Sequence, residues 1–221
     1  MDERCASPAG IEAKSMEIIS RELAQLGISL PPENAGVIRR VIHATADFGY
    51  ASSLYFSEGA VRLGVEALSA GRRIVTDTNM ALAGISKKGL SRLGSGSVCY
   101  MADEEVARRA KALGVTRAAV SMHKAAGEYP DAVYAAGNAP TALFALSEMI
   151  REGFRPSLVI AVPVGFVNVT EAKEEIIRIG AEAGIPVIAA VGRKGGSTVA
   201  AAICNALIYE ALGMTDPFSR E

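Results

Sequence analysis

The sequence predicts an α/β protein with a doubly wound, mostly parallel sheet, in a single domain spanning residues 1–221. Two observations predict this class. Short apolar runs alternate with helical segments along most of the chain, which is the pattern of strands joined by helical crossovers. These runs are continuous and not alternating, as expected for strands buried on both faces of a sheet. A chain of 221 residues is also long enough to bury a sizeable core in one domain.

Three helices are predicted at the start of the chain, before the strands alternate with helices. They are Ile11–Leu26, Val37–Tyr50 and Glu58–Ala70. Pro31 and Pro32 open the second of them, because proline suits the first helical turn. The predicted strands are Ile74–Thr76, Val98–Met101, Arg117–Ser121, Ala132–Ala135, Leu158–Val162 and Val187–Val191. The helices between them are Glu104–Leu113, Thr141–Glu152, Thr170–Ala183 and Thr198–Leu212.

The composition argues against several classes of protein. The 23 basic and 24 acidic residues give a net charge of −1 without a basic run, so we expect no nucleic-acid partner. Cys5, Cys99 and Cys204 are scattered and form no C-x-x-C, which fits a reducing cytoplasm and neither a disulfide framework nor a metal site. The N-terminal residues MDERCASPAG lack the apolar core of a secretory signal, and no apolar run reaches the ~18–20 residues of a membrane span. We expect a soluble, cytoplasmic protein.

His43, one of two histidines, is the candidate catalytic residue. In its predicted helix the apolar residues form a stripe on one face and His43 falls on the other. Arg39, Arg40 and Asp47 lie within one helical turn of it. One interpretation is that His43 lies on an ordinary solvated helix face. The other is that it is an acid–base residue: Asp47 would favour the charged ring and the two arginines would oppose it, so the ring could titrate near neutral pH.

Polar, glycine-rich loops follow four of the predicted strands. In open α/β sheets ligands bind beyond the carboxyl ends of the strands, so these loops indicate a broad ligand held largely by backbone groups. The loops are TDTNM (Thr76–Met80), GNAPT (Gly137–Thr141), PVGFVN (Pro163–Asn168) and GRKGGS (Gly192–Ser197).

The loop GRKGGS precedes a predicted helix, so its N–H groups and Ser197 are placed to hold a carboxylate or a phosphate, with Arg193 or Lys194 beside it. It matches neither standard phosphate-loop pattern. The alternative is that Gly195 and Gly196 only allow the strand to turn into the helix.

The other loops also have structural alternatives. Asn138 and Pro140 suit the start of a helix as well as ligand contact. Phe166 offers an apolar surface to a flat ligand or packs in the core. Asp77 is either a cap or a functional carboxylate at a strand end. His123 lacks the flanking residues of the D-x-H-x-x-G cobalamin motif, so we interpret it as an ordinary loop residue.

The loop and helix motifs together closely resemble the precorrin-8X / cobalt-precorrin-8 methylmutases of corrinoid biosynthesis. The resemblance covers nearly the whole chain, in order. The matching segments are I-E-x-K-S (11–15), R-x-x-H-x-T-A-D-F (40–48), T-D-T-N-M-A-L (76–82), G-I-S-K (84–87), T-R-A (116–118), G-N-A-P-T-A-L (137–143), V-P-V-G-F-V-N-V (162–169) and G-R-K-G-G-S (192–197).

The resemblance implies a flavodoxin-like three-layer sandwich, a homodimer with the active site near the interface, and no added cofactor. The implied reaction moves a methyl group from C-11 to C-12 of cobalt-precorrin-8 and gives the cobalt form of cobyrinic acid. His43 matches the family's catalytic histidine, a general acid. The implied substrate-binding positions are Ser15, Arg40, Asp77, Met80, Gly84, Ser86, Arg117, Asn138, Thr141, Val164, Gly165, Phe166, Lys194, Gly195, Gly196 and Ser197.

Three alternatives remain open at this point. The substrate is the metal-free precorrin-8X, giving hydrogenobyrinate; or the protein is a non-catalytic corrinoid carrier; or the loop GRKGGS serves a phosphate- or nucleotide-binding enzyme. The motifs T-D-T-N-M and F-V-N-V look more like the cobalt branch of the family. Any cobalt would then belong to the substrate and need no protein ligand.

Overall fold

The computed structural model describes residues 7–220, without the side chains of Phe218 and Arg220. Cys5 and the N-terminal residues judged for a signal lie outside this range. Within it the strands are β1 (Leu54–Phe56), β2 (Ile74–Thr76), β3 (Ser97–Val98), β4 (Val133–Ala136), β5 (Leu158–Ala161) and β6 (Val187–Ala190). The α-helices are α1 (Pro8–Gln25), α2 (Ala35–Thr45), α3 (Tyr50–Ser53), α4 (Ala60–Ser69), α5 (Asn79–Gly84), α6 (Lys87–Arg92), α7 (Glu104–Leu113), α8 (Arg117–Glu128), α9 (Pro140–Arg151), α10 (Val169–Ala183) and α11 (Ser197–Ala211).

The strands form one sheet in the order β1-β6-β5-β4-β2-β3. Strands β2 to β6 are parallel, and β1 pairs antiparallel with β6 at the edge. The parallel strands alone have the 2-1-3-4-5 order of flavodoxin-like folds, so the predicted fold class is confirmed. Because β3 lies on one side of β2 and β4 on the other, the strand order reverses between β2 and β4. This switch point is where such folds bind ligands.

Two apolar clusters sandwich the sheet and explain why the strands are continuous apolar runs. Val133 and Ala135 of β4 join α1, α2, α4 and α11 on one face. Tyr134 and Ala136 join α8, α9 and α10 on the other. All four residues of β4 are buried, as are those of β5 and β6. A strand covered on both faces has no solvent side and therefore no alternating pattern.

The predicted strand Arg117–Ser121 is wrong, because this segment is the start of α8. Thr116 caps that helix, with its Oγ1 accepting from the N–H of Ala119 at 3.3 Å. Ala118, Met122 and Ala125 are buried at helical spacing. His123, predicted in a loop, therefore lies on α8, where it is exposed.

The His43 helix is shorter than predicted, since α2 starts at Ala35 and ends at Thr45. Pro31 and Pro32 precede it and do not open it. Ala46 adopts a left-handed conformation (φ 53°) and ends the helix. Asp47 therefore lies beyond α2. The short elements α3, β1, α5 and α6 were not predicted, and the remaining predicted helices and strands are confirmed to within a few residues at their ends.

In the part of the chain that is described, none of the helices combines the length and the apolar character that crossing a membrane requires.

Candidate active site at the carboxyl edge of the sheet

The four loops predicted to bind a ligand meet at the carboxyl edge of the sheet and hold one another in place. Thr78 Oγ1, after β2, lies 2.8 Å from Ser197 Oγ, after β6. The N–H of Gly196 donates to the carbonyl of Val162 at 2.8 Å, and the N–H of Gly165 donates to that of Arg193 at 3.2 Å. These contacts place the predicted positions Val164, Gly165, Gly195, Gly196 and Ser197 side by side.

Asp77 fixes the switch point between β2 and β4. Its side chain is fully buried, and its carboxylate accepts from the N–H groups of Gly137, Asn138 and Ala139 at 2.7, 2.8 and 2.7 Å. Burial raises the pKa of Asp77, and these three hydrogen bonds oppose that effect. The carboxylate thus shapes the loop after β4, and Asn138 itself is exposed at that loop.

His43 opens into a cleft of about 220 Å³ between α2, α5 and α11. The predicted residues Arg40, Met80 and Gly84 also line this cleft. The ring of His43 is exposed, and within residues 7–220 it makes no side-chain hydrogen bond or ion pair. It is therefore free to approach a ligand. The cleft is also lined by Ala44, Thr198, Ala201, Ala202 and Asn205, which sequence reasoning missed.

Asn205 joins two predicted positions to α11. Its Oδ1 accepts from the N–H of Ser86 and its Nδ2 donates to the carbonyl of Gly84, both at 2.8 Å. A Cβ on Gly84 would lie 2.8 Å from that of Ala201, so only glycine allows this approach. The sequence held a signal for this wall, because Thr198, Ala201, Ala202 and Asn205 have the spacing of one helical face.

The predicted pairing of His43 with Asp47 is wrong. Because α2 ends before Asp47, this carboxylate turns to Lys194 in the loop after β6, where Oδ2 accepts from Nζ at 2.6 Å. It also accepts from the N–H of Gly49 at 2.8 Å. The hydrogen bonds from Lys194 and Gly49 hold the pKa of Asp47 below its usual range. The ion pair therefore couples the segment after the His43 helix to the loop GRKGGS.

Arg40 already has partners in this structure. Its guanidinium forms an ion pair with Glu12 of α1 and lies over the Tyr209 ring, 4.9 Å from the centroid. Arg40 can line the cleft while Glu12 and Tyr209 fix its orientation.

Large apolar side chains are exposed in the loops at the carboxyl edge of the sheet. Phe166 is 82% exposed and Met80 is 76% exposed. Val164 and Val167 add to this surface, and the guanidinium of Arg193 lies 5.3 Å from the centroid of the Phe166 ring. Exposed apolar surface of this kind, rimmed by cations, indicates a binding face.

Three predicted positions lie away from the His43 cleft. Ser15 is on α1, where its hydroxyl donates to the carbonyl of Ile11 at 2.9 Å. Arg117 is exposed at the first turn of α8. Thr141 accepts from the hydroxyl of Thr116 at 2.8 Å and lines a separate groove between α8 and α9. No cluster of three metal-ligating His, Cys, Asp or Glu side chains occurs among the described residues.

Comparison with known proteins identifies the family of this chain. A family model described as precorrin-8X methylmutase matches residues 10–210. The chain belongs to the precorrin-8X methylmutase family. The curated cobalt-precorrin-8 methylmutase of Salmonella typhimurium is 43% identical over 206 residues, which cover 91% of this chain and 95% of the relative. The cobalt-precorrin-8 methylmutase of Priestia megaterium is 41% identical over 201 residues, which cover 90% of this chain and 87% of the relative. A solved precorrin-8X methylmutase from Thermus thermophilus has a TM-score of 0.82 at 42% identity, covering 92% of this chain and 98% of that one.

The family match contains every strand of the sheet and all the residues that line the His43 cleft. The resemblance noted from the sequence motifs is therefore confirmed.

Proposed function

We propose that this protein is an isomerase of cobalamin biosynthesis that moves a methyl group from C-11 to C-12 of cobalt-precorrin-8, with His43 as the general acid. The observation that carries the assignment of His43 is its position: its ring has no partner in residues 7–220 and faces a cleft lined by matched family residues. Family membership supports the reaction class.

In the proposed mechanism His43 donates a proton to the conjugated ring system near ring C of the macrocycle. The protonated system accepts the migrating methyl group at C-12, and the proton is returned when the product forms. No atoms are gained or lost, and the proposed step asks of the protein only a proton donor and a site that fixes the ring beside that donor. The proposal includes no added cofactor, and cobalt enters with the substrate.

The substrate is proposed to lie across the open edge of the sheet. Pockets that enclose drug-sized ligands have roughly 300–1,000 Å³, so the 220 Å³ cleft holds only part of a macrocycle. The exposed side chains of Phe166 and Met80 suit the flat ring of the substrate. Lys194 and the N–H groups of its loop suit the carboxylates at the edge of that ring. We further propose a homodimer in which a second copy covers this apolar face.

The cobalt form is proposed over the metal-free form because the two curated relatives compared above are named for it. The experiment is anaerobic incubation with cobalt-precorrin-8 and, in parallel, precorrin-8X, followed by visible absorption. We expect wild type to convert the cobalt form. His43→Ala should bind the corrinoid but lose at least about a hundredfold in turnover, the usual contribution of a general acid.

His123→Ala is the matched control, because it removes the other histidine, which is exposed on α8 and outside the cleft. Its turnover should equal that of wild type. Retained activity in His43→Ala would refute the acid role. Binding without conversion by wild type would favour a carrier, and stabilisation by nucleotides but not corrinoids would favour a phosphate-binding enzyme. Preferred conversion of precorrin-8X would reassign the substrate.

A further inference from the structure

Lys173 is a buried cation that the proposed mechanism does not use. It lies on α10 and is 1% exposed. Its Nζ donates to the carbonyls of Gly192 and Lys194, each at 2.8 Å. Within residues 7–220 its ammonium forms no ion pair with a carboxylate, so these two carbonyls are what compensates the buried charge. Burial lowers the pKa of Lys173 to about 8.

The two hydrogen bonds fix which way the loop GRKGGS presents its backbone. In a trans peptide the carbonyl of one residue and the N–H of the next point in opposite directions, and the described residues contain no cis peptide. With the carbonyls of Gly192 and Lys194 turned toward Lys173, the N–H groups of Arg193 and Gly195 point away from it. Neither N–H donates to another residue in the described range.

Other contacts also hold this loop against the segment after β5. The N–H of Gly196 is held by the carbonyl of Val162 at 2.8 Å, and a Cβ on Gly195 would lie 2.2 Å from that same oxygen. The exposed side chain of Lys194 also belongs to this loop, and its ammonium pairs with Asp47 at 2.6 Å. The unpaired N–H groups and this ammonium belong to the same short segment, and N–H and ammonium donors suit a carboxylate.

We infer that Lys173 is a positioning residue, which holds two loop carbonyls so that the N–H groups of Arg193 and Gly195, with Lys194, receive a peripheral carboxylate of the substrate. This inference rests on the proposed function, since it assigns part of the same site. Lys173 touches no substrate atom itself. Its effect is specific to the charge of the ligand, and this distinguishes it from a residue that only stabilises the fold.

The test compares two ligands, cobyrinic acid and its fully esterified form, by titration followed in the visible spectrum. Lys173→Met removes the cation while keeping a buried chain of similar length. Lys111→Met is the matched control, since it removes an exposed lysine of α7, outside the loop. We expect Lys173→Met to weaken binding of the acid by at least about tenfold, as for a lost hydrogen bond to a charged group. Binding of the ester should change less than twofold, and Lys111→Met should affect neither ligand.

Equal weakening of acid and ester would overturn the inference and leave Lys173 a structural residue. Unchanged binding of both would also overturn it. Should wild type bind neither ligand, the proposed function itself fails, which is a separate result.

Amide hydrogen exchange on the wild-type protein tests the same inference without a variant that has to fold. Cobyrinic acid should slow exchange at Arg193 and Gly195, and the ester should not. Equal protection by both ligands, or by neither, would refute the assignment of these N–H groups.

Discussion

Replacing Asp77 by alanine tests whether the switch point depends on one buried carboxylate. The change leaves three backbone N–H groups without their acceptor, and that of Gly137 belongs to a buried residue. A buried donor without a partner costs about 1–3 kcal/mol, and each of the two others, which water can reach, costs about 1 kcal/mol. Removing the buried charge returns part of this. We therefore expect the free energy of unfolding to fall by about 3 kcal/mol.

Urea unfolding followed by far-UV circular dichroism measures this loss. With a slope near 2–3 kcal/mol per M, the midpoint should fall by about 1 M. Asp103→Ala is the control, because Asp103 also accepts a backbone N–H, that of Val106 at 3.0 Å, but at a partly exposed helix cap where its carboxylate also pairs with Lys124. It should cost about 1 kcal/mol. A loss for Asp77→Ala no greater than for Asp103→Ala would refute the argument. Normal stability with lost corrinoid binding in Asp77→Asn would instead favour direct substrate contact.

Three further predictions concern the loop after β6. Asp47→Asn breaks the ion pair with Lys194 and should lower the free energy of unfolding by at most about 1 kcal/mol. Because the pKa of Asp47 is lowered in the folded state, the difference in unfolding free energy between wild type and variant, measured by urea titration, should vanish as the pH falls through that pKa. For Lys173 the folded pKa of about 8 lies below the usual 10.5, so the unfolded state binds more protons between these values. The unfolding free energy of wild type relative to Lys173→Met should therefore rise by about 3 kcal/mol from pH 7 to pH 10.5. A difference that does not change with pH would contradict the lowered pKa of Lys173. Gly195→Ala brings a Cβ against the Val162 carbonyl, so it should displace the loop and weaken binding of cobyrinic acid. Gly127→Ala is the control, because Gly127 lies on α8 and its Cβ would have no atom within 4 Å, so it should leave that binding unchanged.

The sheet could be predicted because its strands carry their own signal. Each of β4, β5 and β6 is an apolar run bounded by turn residues and covered on both faces. The segment from Arg117 shows the limit of that signal. Its small and apolar residues form a run as short as a strand, and only the buried positions further along, Met122 and Ala125, reveal the helical period.

The location of the site was predictable, but its side-chain pairings were not. Parallel strands bring their carboxyl ends to one edge, so the polar loops had to meet there. The Asp47–Lys194 pair joins residues 147 positions apart, and the Lys173 bonds depend on how α10 packs beneath the loop. Spacing along one helix suggested His43 as the partner of Asp47, and one left-handed residue, Ala46, was enough to end the helix and redirect that carboxylate.

The net charge of −1 gave no sign of a site suited to an acidic ligand. The reason is that the positive groups of this edge are local and partly belong to the backbone. Lys173 places a buried charge behind the loop, and Lys194 and Arg193 lie in it. The last residue of the loop, Ser197, begins α11, and no side chain caps the first N–H groups of that helix. Free N–H groups at a helix start attract anions without adding to the formal charge. Composition therefore argues against a surface that binds a long polyanion such as nucleic acid, but it carries no information about one carboxylate held by oriented backbone groups.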